Sequence, residues 1–182
     1  MKKKIITLLI LIDVVLILIG LSKISLSYLD NKNYQEKIQE VVMDITPKMN
    51  NNLVGYIKIG NIKTILMQGN DNKYYLNHDN EDKESKFGSV FVDYRYDLNN
   101  GKKGIIYGHS SKIYDLPFNS LKEFKNNNYL DANKDVEVMY KGIINNYEIV
   151  NVRDTIGEDD YLYIQTCDQE TKGLIIIVAK KI

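Results

Sequence analysis

Two side chains in this sequence have the chemistry of a nucleophile and its acid–base partner. Cys167 directly follows the apolar run YLYIQT, and His109 directly follows GIIYG. The end of a β-strand is a rigid position with an accessible side chain, which is what a reacting pair requires. A thiolate attacks a carbonyl well, and a nearby imidazolium favours that ionised form. The same imidazole can then protonate a departing amine. The plainer readings stay open on spacing alone: Cys167 as a small core residue, and His109 as a turn histidine satisfied by backbone. His78, the second histidine, lies in a polar loop after NKYYLN and reads as a loop residue. A zinc site of Cys167, His109 and His78 is not supported, because no pattern of supporting residues surrounds these positions.

The elements that must carry such a pair are short strands. VGYIKI (54–59) and KTILM (63–67) flank a Gly-Asn turn, and SVFVDY (89–94) and GIIYG (104–108) flank an Asn-Asn-Gly turn. VEVMY (136–140) and NYEIVNV (146–152) flank a third turn, and YLYIQT (161–166) and LIIIVAK (174–180) close the chain. Val, Ile and Tyr enrichment with turn residues between runs marks each as a strand. Eight strands, mostly in hairpin-like pairs, with no βαβ rhythm and no Gly-rich phosphate loop, predict an all-β, antiparallel barrel or sandwich. A short helix is expected over Phe118–Phe124, with Asn119 or Ser120 as its cap.

Upstream the pattern is helical. Tyr34, Ile38, Val41, Val42 and Ile45 recur at helical spacing, predicting an amphipathic helix from about Lys32 to Thr46 that Pro47 ends. Before it, Lys2, Lys3 and Lys4 precede an apolar run from Ile5 to Leu21 interrupted by Thr7 and Asp13. Seventeen helical residues span about 25 Å, at the short end of what crosses a bilayer. The lysines predict a cytoplasmic tip, and no small-residue cleavage site follows, so the segment reads as an uncleaved anchor. Asp13 argues against insertion, since a mid-helix carboxylate costs about 3 kcal/mol. The expected division is residues 1–30 as tip and transmembrane anchor, 31–50 as linker helix and 51–182 as the barrel, placed outside the cell membrane.

Composition narrows the function classes. The 182 residues carry 24 basic and 24 acidic side chains, one cysteine and no tryptophan. One cysteine excludes an internal disulfide scaffold and a zinc site of several thiolates. Balanced charge speaks against nucleic acid as a partner. Arginine occurs only at Arg95 and Arg153.

These residues carry a family resemblance. NNLVGYIKIGNIKTILMQGNDNKYYLNH, KFGSVFVDYR, GIIYGHSS with FNSLKEF, and YIQTC, in this order, resemble the class B-type sortases, membrane-anchored cysteine transpeptidases of Gram-positive bacteria. The resemblance runs from about Asn51 to the C-terminus. It implies an eight-stranded sortase-like β-barrel, with an N-terminal amphipathic helix and a short connecting helix. It implies His109 as the catalytic histidine of the YGH segment and Cys167 as the nucleophile, with no cofactor. The implied partners are secreted surface proteins bearing a C-terminal sorting signal, and a peptidoglycan precursor or pilin amine that accepts the acyl group.

Two departures qualify what the resemblance implies. The family's catalytic arginine lies on the strand after the cysteine; here that region, CDQETKGLIIIVAKKI, contains none, and ungapped matching puts Leu174 in its place. Lys172 is the nearest cation, and lysine lacks the planar bidentate fork of arginine. The long helical insertion that usually precedes the cysteine strand is reduced to RDTIGEDD (153–160). Two other readings therefore stand beside the transpeptidase: a sortase-like peptide-binding protein with weak or no turnover, and an extracellular cysteine hydrolase with water as acceptor.

Overall fold

The structure is a computed structural model that describes residues 2–43 and 52–182, with side chains from 9–40 and 52–182. The chain divides into two compact units, residues 1–36 and 37–182. Helix α1 spans Lys2–Met43, over residues for which the sequence pattern suggests an anchor followed by a linker helix. It carries one stretch long and apolar enough to cross a membrane, and the side chains along it, from Leu9 to Leu21, are exposed. In the second unit Ile38 is buried, and Lys37 pairs with Asp79 at 3.1 Å and Glu81 at 3.0 Å. The stop expected at Pro47, and Val41, Val42 and Ile45 of the apolar stripe, lie outside the residues whose side chains are described.

All eight expected strands form: β1 (Leu53–Ile59), β2 (Ile62–Met67), β3 (Phe91–Val92), β4 (Gly104–Tyr107), β5 (Asp135–Tyr140), β6 (Ile143–Arg153), β7 (Leu162–Cys167) and β8 (Leu174–Lys181). They close into a barrel in the order β1-β2-β3-β4-β7-β8-β6-β5. The barrel is mixed rather than antiparallel. The four expected hairpins are antiparallel, but β2/β3 and β4/β7 pair in parallel. Parallel neighbours need long crossovers, and both joins have them. Residues 68–90 link β2 to β3, and the β5–β6 hairpin lies within the β4-to-β7 connection. Spacing between adjacent strands cannot reveal such joins.

Strand alternation sets the two faces. Leu162, Ile164, Ile175, Ile177 and Ala179 point into the barrel core with Ile106 and Phe118. Ile105, Tyr163, Ile176 and Val178 form a second buried cluster on the outer face, with Tyr107 and Leu174 packed against it. Burial on both faces explains why β8 reads LIIIV without alternation.

The short connecting helix is present as a 3-10 helix (Pro117–Lys125), with Pro117 at its start. Asn119 does not cap it: its side chain accepts from Ser111 N at 2.7 Å and donates to Tyr114 O at 2.7 Å, closing the preceding loop. A further helix, α2 (Asn127–Ala132), is capped by Asn126.

Candidate active site

The site grows out of the parallel pair β4/β7. The ladder ends at Tyr107 opposite Gln165. Two bonds carry it one residue further: Gly108 N donates to Gln165 O at 3.1 Å, and Thr166 Oγ1 donates to Gly108 O at 2.8 Å. The next pair in that register is His109 and Cys167. Thr166 is buried with the inner set, so Gln165 and Cys167 share the outer face with Tyr163. His109 lies two residues past the end of β4, and continuing the alternation of Ile105 and Tyr107 puts it on the same outer face. The two sequence-predicted residues thus stand level on neighbouring strands, whose backbones run about 4.8 Å apart.

Past this level the two chains are clasped. Ser110 Oγ donates to Cys167 O at 2.5 Å, and Gln169 Nε2 donates to Ser110 O at 3.0 Å. Gly108 makes room at the turn, since a Cβ there would lie 2.5 Å from the Phe118 ring. The thiol is exposed and lines a cleft of about 530 Å³ with Ser111, Lys112, Tyr114, Asn119 and Gln169. Exposure on the outer face removes the reading of Cys167 as a core residue.

His109 is half-buried and its ring is turned to the 3-10 turn Tyr74–Leu76, where Nε2 meets Leu76 O at 2.8 Å. A carbonyl oxygen only accepts, so Nε2 carries the proton and Nδ1 holds the lone pair of the neutral ring. Among the described residues no hydrogen bond joins His109 to Cys167. In unliganded enzymes such catalytic bonds are often long and tighten with substrate.

His78 lies in the loop, with Nδ1 at 2.8 Å from Tyr74 O and its ring stacked on Tyr74 at 3.9 Å. Among the described residues no three His, Cys, Asp or Glu side chains cluster to hold a metal ion.

Charge around the thiol is arranged by residues the sequence reading passed over. Asp168 is buried and accepts from Lys125 Nζ at 2.6 Å, Thr171 Oγ1 at 2.7 Å and Glu170 N at 2.9 Å. Lys125 first, then these hydrogen bonds, hold its carboxyl well below the usual carboxylate range. The Asp-x-x-Thr spacing that follows the cysteine is a turn signature and was the available clue. Neither arginine stands beside the sulfur. Arg95 is bound through Nε and a terminal nitrogen to the fully buried Asp93, at 2.9 and 2.7 Å, and Arg153 reaches Asp159 at 3.4 Å. Lys172 sits in the β7–β8 turn with φ +61°, and the residue paired with Cys167 on β8 is Leu174.

A closed eight-stranded mixed barrel with an N-terminal helix and a short connecting helix is the fold of sortase B structures. Known proteins agree. The chain is 30% identical over 143 residues to sortase B of Listeria monocytogenes, covering 76% of this chain and 56% of that protein. It is 26% identical over 180 residues to sortase B of Staphylococcus aureus, covering 88% and 73%. The crystal structure of Clostridium perfringens sortase B superposes with a TM-score of 0.64 at 26% identity, covering 79% of this chain and 99% of that one. No protein-family model matches the chain. The chain is thus related to the class B-type sortases in sequence and shares their fold. It spans little more than half the length of the listerial relative.

Proposed function

We propose that this protein is a membrane-anchored cysteine transpeptidase that cleaves the C-terminal sorting signal of secreted proteins and passes the acyl group to a cell-wall or pilin amine. What supports the reading is the β4/β7 register, which continued by two residues brings His109 opposite Cys167, with the thiol open to a cleft. Cys167 Sγ attacks the scissile carbonyl, forming a thioester as the C–N bond breaks. The thiol proton passes to His109 Nδ1, which gives it to the leaving amine. The incoming amine then attacks the thioester, His109 takes a proton from it, and the thiol leaves as the new amide forms. Helix α1 supplies the anchor, with the lysine tip in the cytoplasm and the barrel outside.

The test uses the full chain in detergent, a panel of fluorogenic sorting-type peptides, and a small amine. Expected are cleavage, a product carrying the amine, and an intact-mass adduct on Cys167, all lost in Cys167→Ala. Cleavage without amine incorporation would favour the hydrolase. Binding with neither cleavage nor adduct would favour the peptide-binding reading, which the Leu174 position makes specific.

A further inference from the structure

The turn that receives His109 is built more firmly than a surface loop requires. Its second residue, Tyr75, is fully buried and its hydroxyl donates to Asp82 at 2.9 Å. Asp71 Oδ1 accepts from Lys73 N at 2.8 Å and Tyr74 N at 2.9 Å at the turn's start. Ser89 N donates to Tyr75 O at 2.9 Å, and Ser89 Oγ donates to His78 O at 2.9 Å, so the returning chain fastens the turn from behind. That return passes through Gly88 at φ +60°, where a Cβ would lie 2.6 Å from Leu76 O and 2.7 Å from Tyr75 O.

Two carbonyls of this turn each take one histidine. Tyr74 O accepts from His78 Nδ1, and Leu76 O accepts from His109 Nε2. His78, bland in the sequence, therefore ties down the same turn two residues before the carbonyl that holds the reacting imidazole. We propose that Gly88 and His78 are positioning residues for His109: they fix the Leu76 carbonyl, which holds the Nε2 proton and keeps Nδ1 for exchange with the thiol and the leaving amine. Among the described residues Nδ1 of His109 has no protein partner. The inference rests on the reading of His109 given above.

A side chain at position 88 meets two penalties. L-residues rarely adopt that φ, and the clash is with backbone oxygens that cannot rotate away. Gly88→Ala must displace either itself or the Leu76 carbonyl. His78→Ala acts more gently, on an exposed side chain, and His78→Asn restores a donor at the Nδ1 position. Misplacing a reacting group by a fraction of an ångström to an ångström costs roughly tenfold to a hundredfold in rate.

The test is long-range 1H–15N NMR of the imidazoles in the unliganded full chain, with peptide cleavage measured separately. Two histidines make assignment simple. The wild-type protein is expected to show His109 protonated on Nε2 with that proton retarded in exchange. Gly88→Ala and His78→Ala should shift the His109 ring signals and speed that exchange, and His78→Asn should return them. In cleavage, kcat should fall about tenfold for Gly88→Ala with KM little changed. If Gly88→Ala does not fold, the His78 pair decides. His109 signals unchanged in His78→Ala, while the amides of Tyr74–Leu76 move, would overturn the proposal. A wild-type protein that cleaves no peptide yet shows the predicted ring signals would count against the transpeptidase and leave the positioning intact.

Discussion

Leu174→Arg is expected to raise the acylation rate of this protein. Leu174 is the Cα partner of Cys167 across β7/β8, so both side chains project from the same outer face. Directly paired residues on one face have Cβ atoms about 5 Å apart, close enough for a guanidinium to reach the carbonyl oxygen on a sulfur-bound tetrahedral centre. One donor to such an oxyanion is worth roughly 3 kcal/mol, or about a hundredfold in kcat. Against this stands a packing loss. Leu174 is half-buried against the outer cluster of Ile105, Tyr163, Ile176 and Val178. Full burial of a leucine contributes about 1.5–3 kcal/mol, so half of it lost is about 1 kcal/mol, partly returned by the arginine stem. The rate term outweighs the stability term. The assay is the burst of an activated ester on the full chain in detergent, which reports Cys167 acylation without knowledge of the peptide motif. Leu174→Met controls for packing, and Leu174→Lys tests charge without the fork. An unchanged burst in a Leu174→Arg protein that melts within a few degrees of the parent would refute the reasoning.

Other outcomes follow from the same geometry. Cys167→Ala should abolish the burst, and His109→Gln should slow it by about 10²–10⁴, measured on the same ester. Burial pushes the Asp93 carboxyl up, but bonds from Arg95, Asn72 and Tyr107 together outweigh it and hold it down at about 2. Its unfolded value is higher, so its stabilisation is present above the ordinary carboxylate range and is lost as pH falls through about 2. Arg95→Ala should lower stability at neutral pH, and the difference between parent and variant should shrink as pH falls toward 2 in urea titrations. Ile177→Ala, in the barrel core, should cost about 2–5 kcal/mol by the same method. Thr166→Val removes the hydroxyl that ties Gly108, and should slow acylation while lowering stability by about 1 kcal/mol.

Most of the barrel was readable because its strands are short, bounded by turn residues and rich in β-branched side chains. Every one of the eight runs lies on an observed strand. What the runs did not carry was the pairing between hairpins. GIIYG and YLYIQT are separated by more than fifty residues, and only closure of the barrel places them side by side, in parallel. SVFVDY suggests six residues of strand, and only Phe91 and Val92 are; Asp93 N still donates to Ile105 O at 2.9 Å, and its carboxylate binds Arg95, Asn72 and Tyr107 as the chain turns away. Cys167 and His109 were visible as polar residues at strand ends. The Leu76 carbonyl was not, since a main-chain acceptor has no residue type. Asp168 and Lys125 lie 43 residues apart in sequence and make a pair only in the folded chain.

The departures from the family pattern fall on one part of the chemistry and spare another. In the proposed reaction the nucleophile Cys167 and its partner His109 are held by main-chain contacts. The β4/β7 ladder, the Thr166 and Ser110 clasps and the Leu76 carbonyl do not depend on which residue occupies position 174 or on the short segment 153–160. The arginine that the family resemblance implies would reach across from β8, and the position that faces Cys167 there is leucine. Placement of the thiol and stabilisation of developing charge are thus separable in this barrel. A chain can form a thioester slowly with the first intact and the second weakened, and that combination is what the Leu174→Arg and His78→Ala variants resolve from opposite sides.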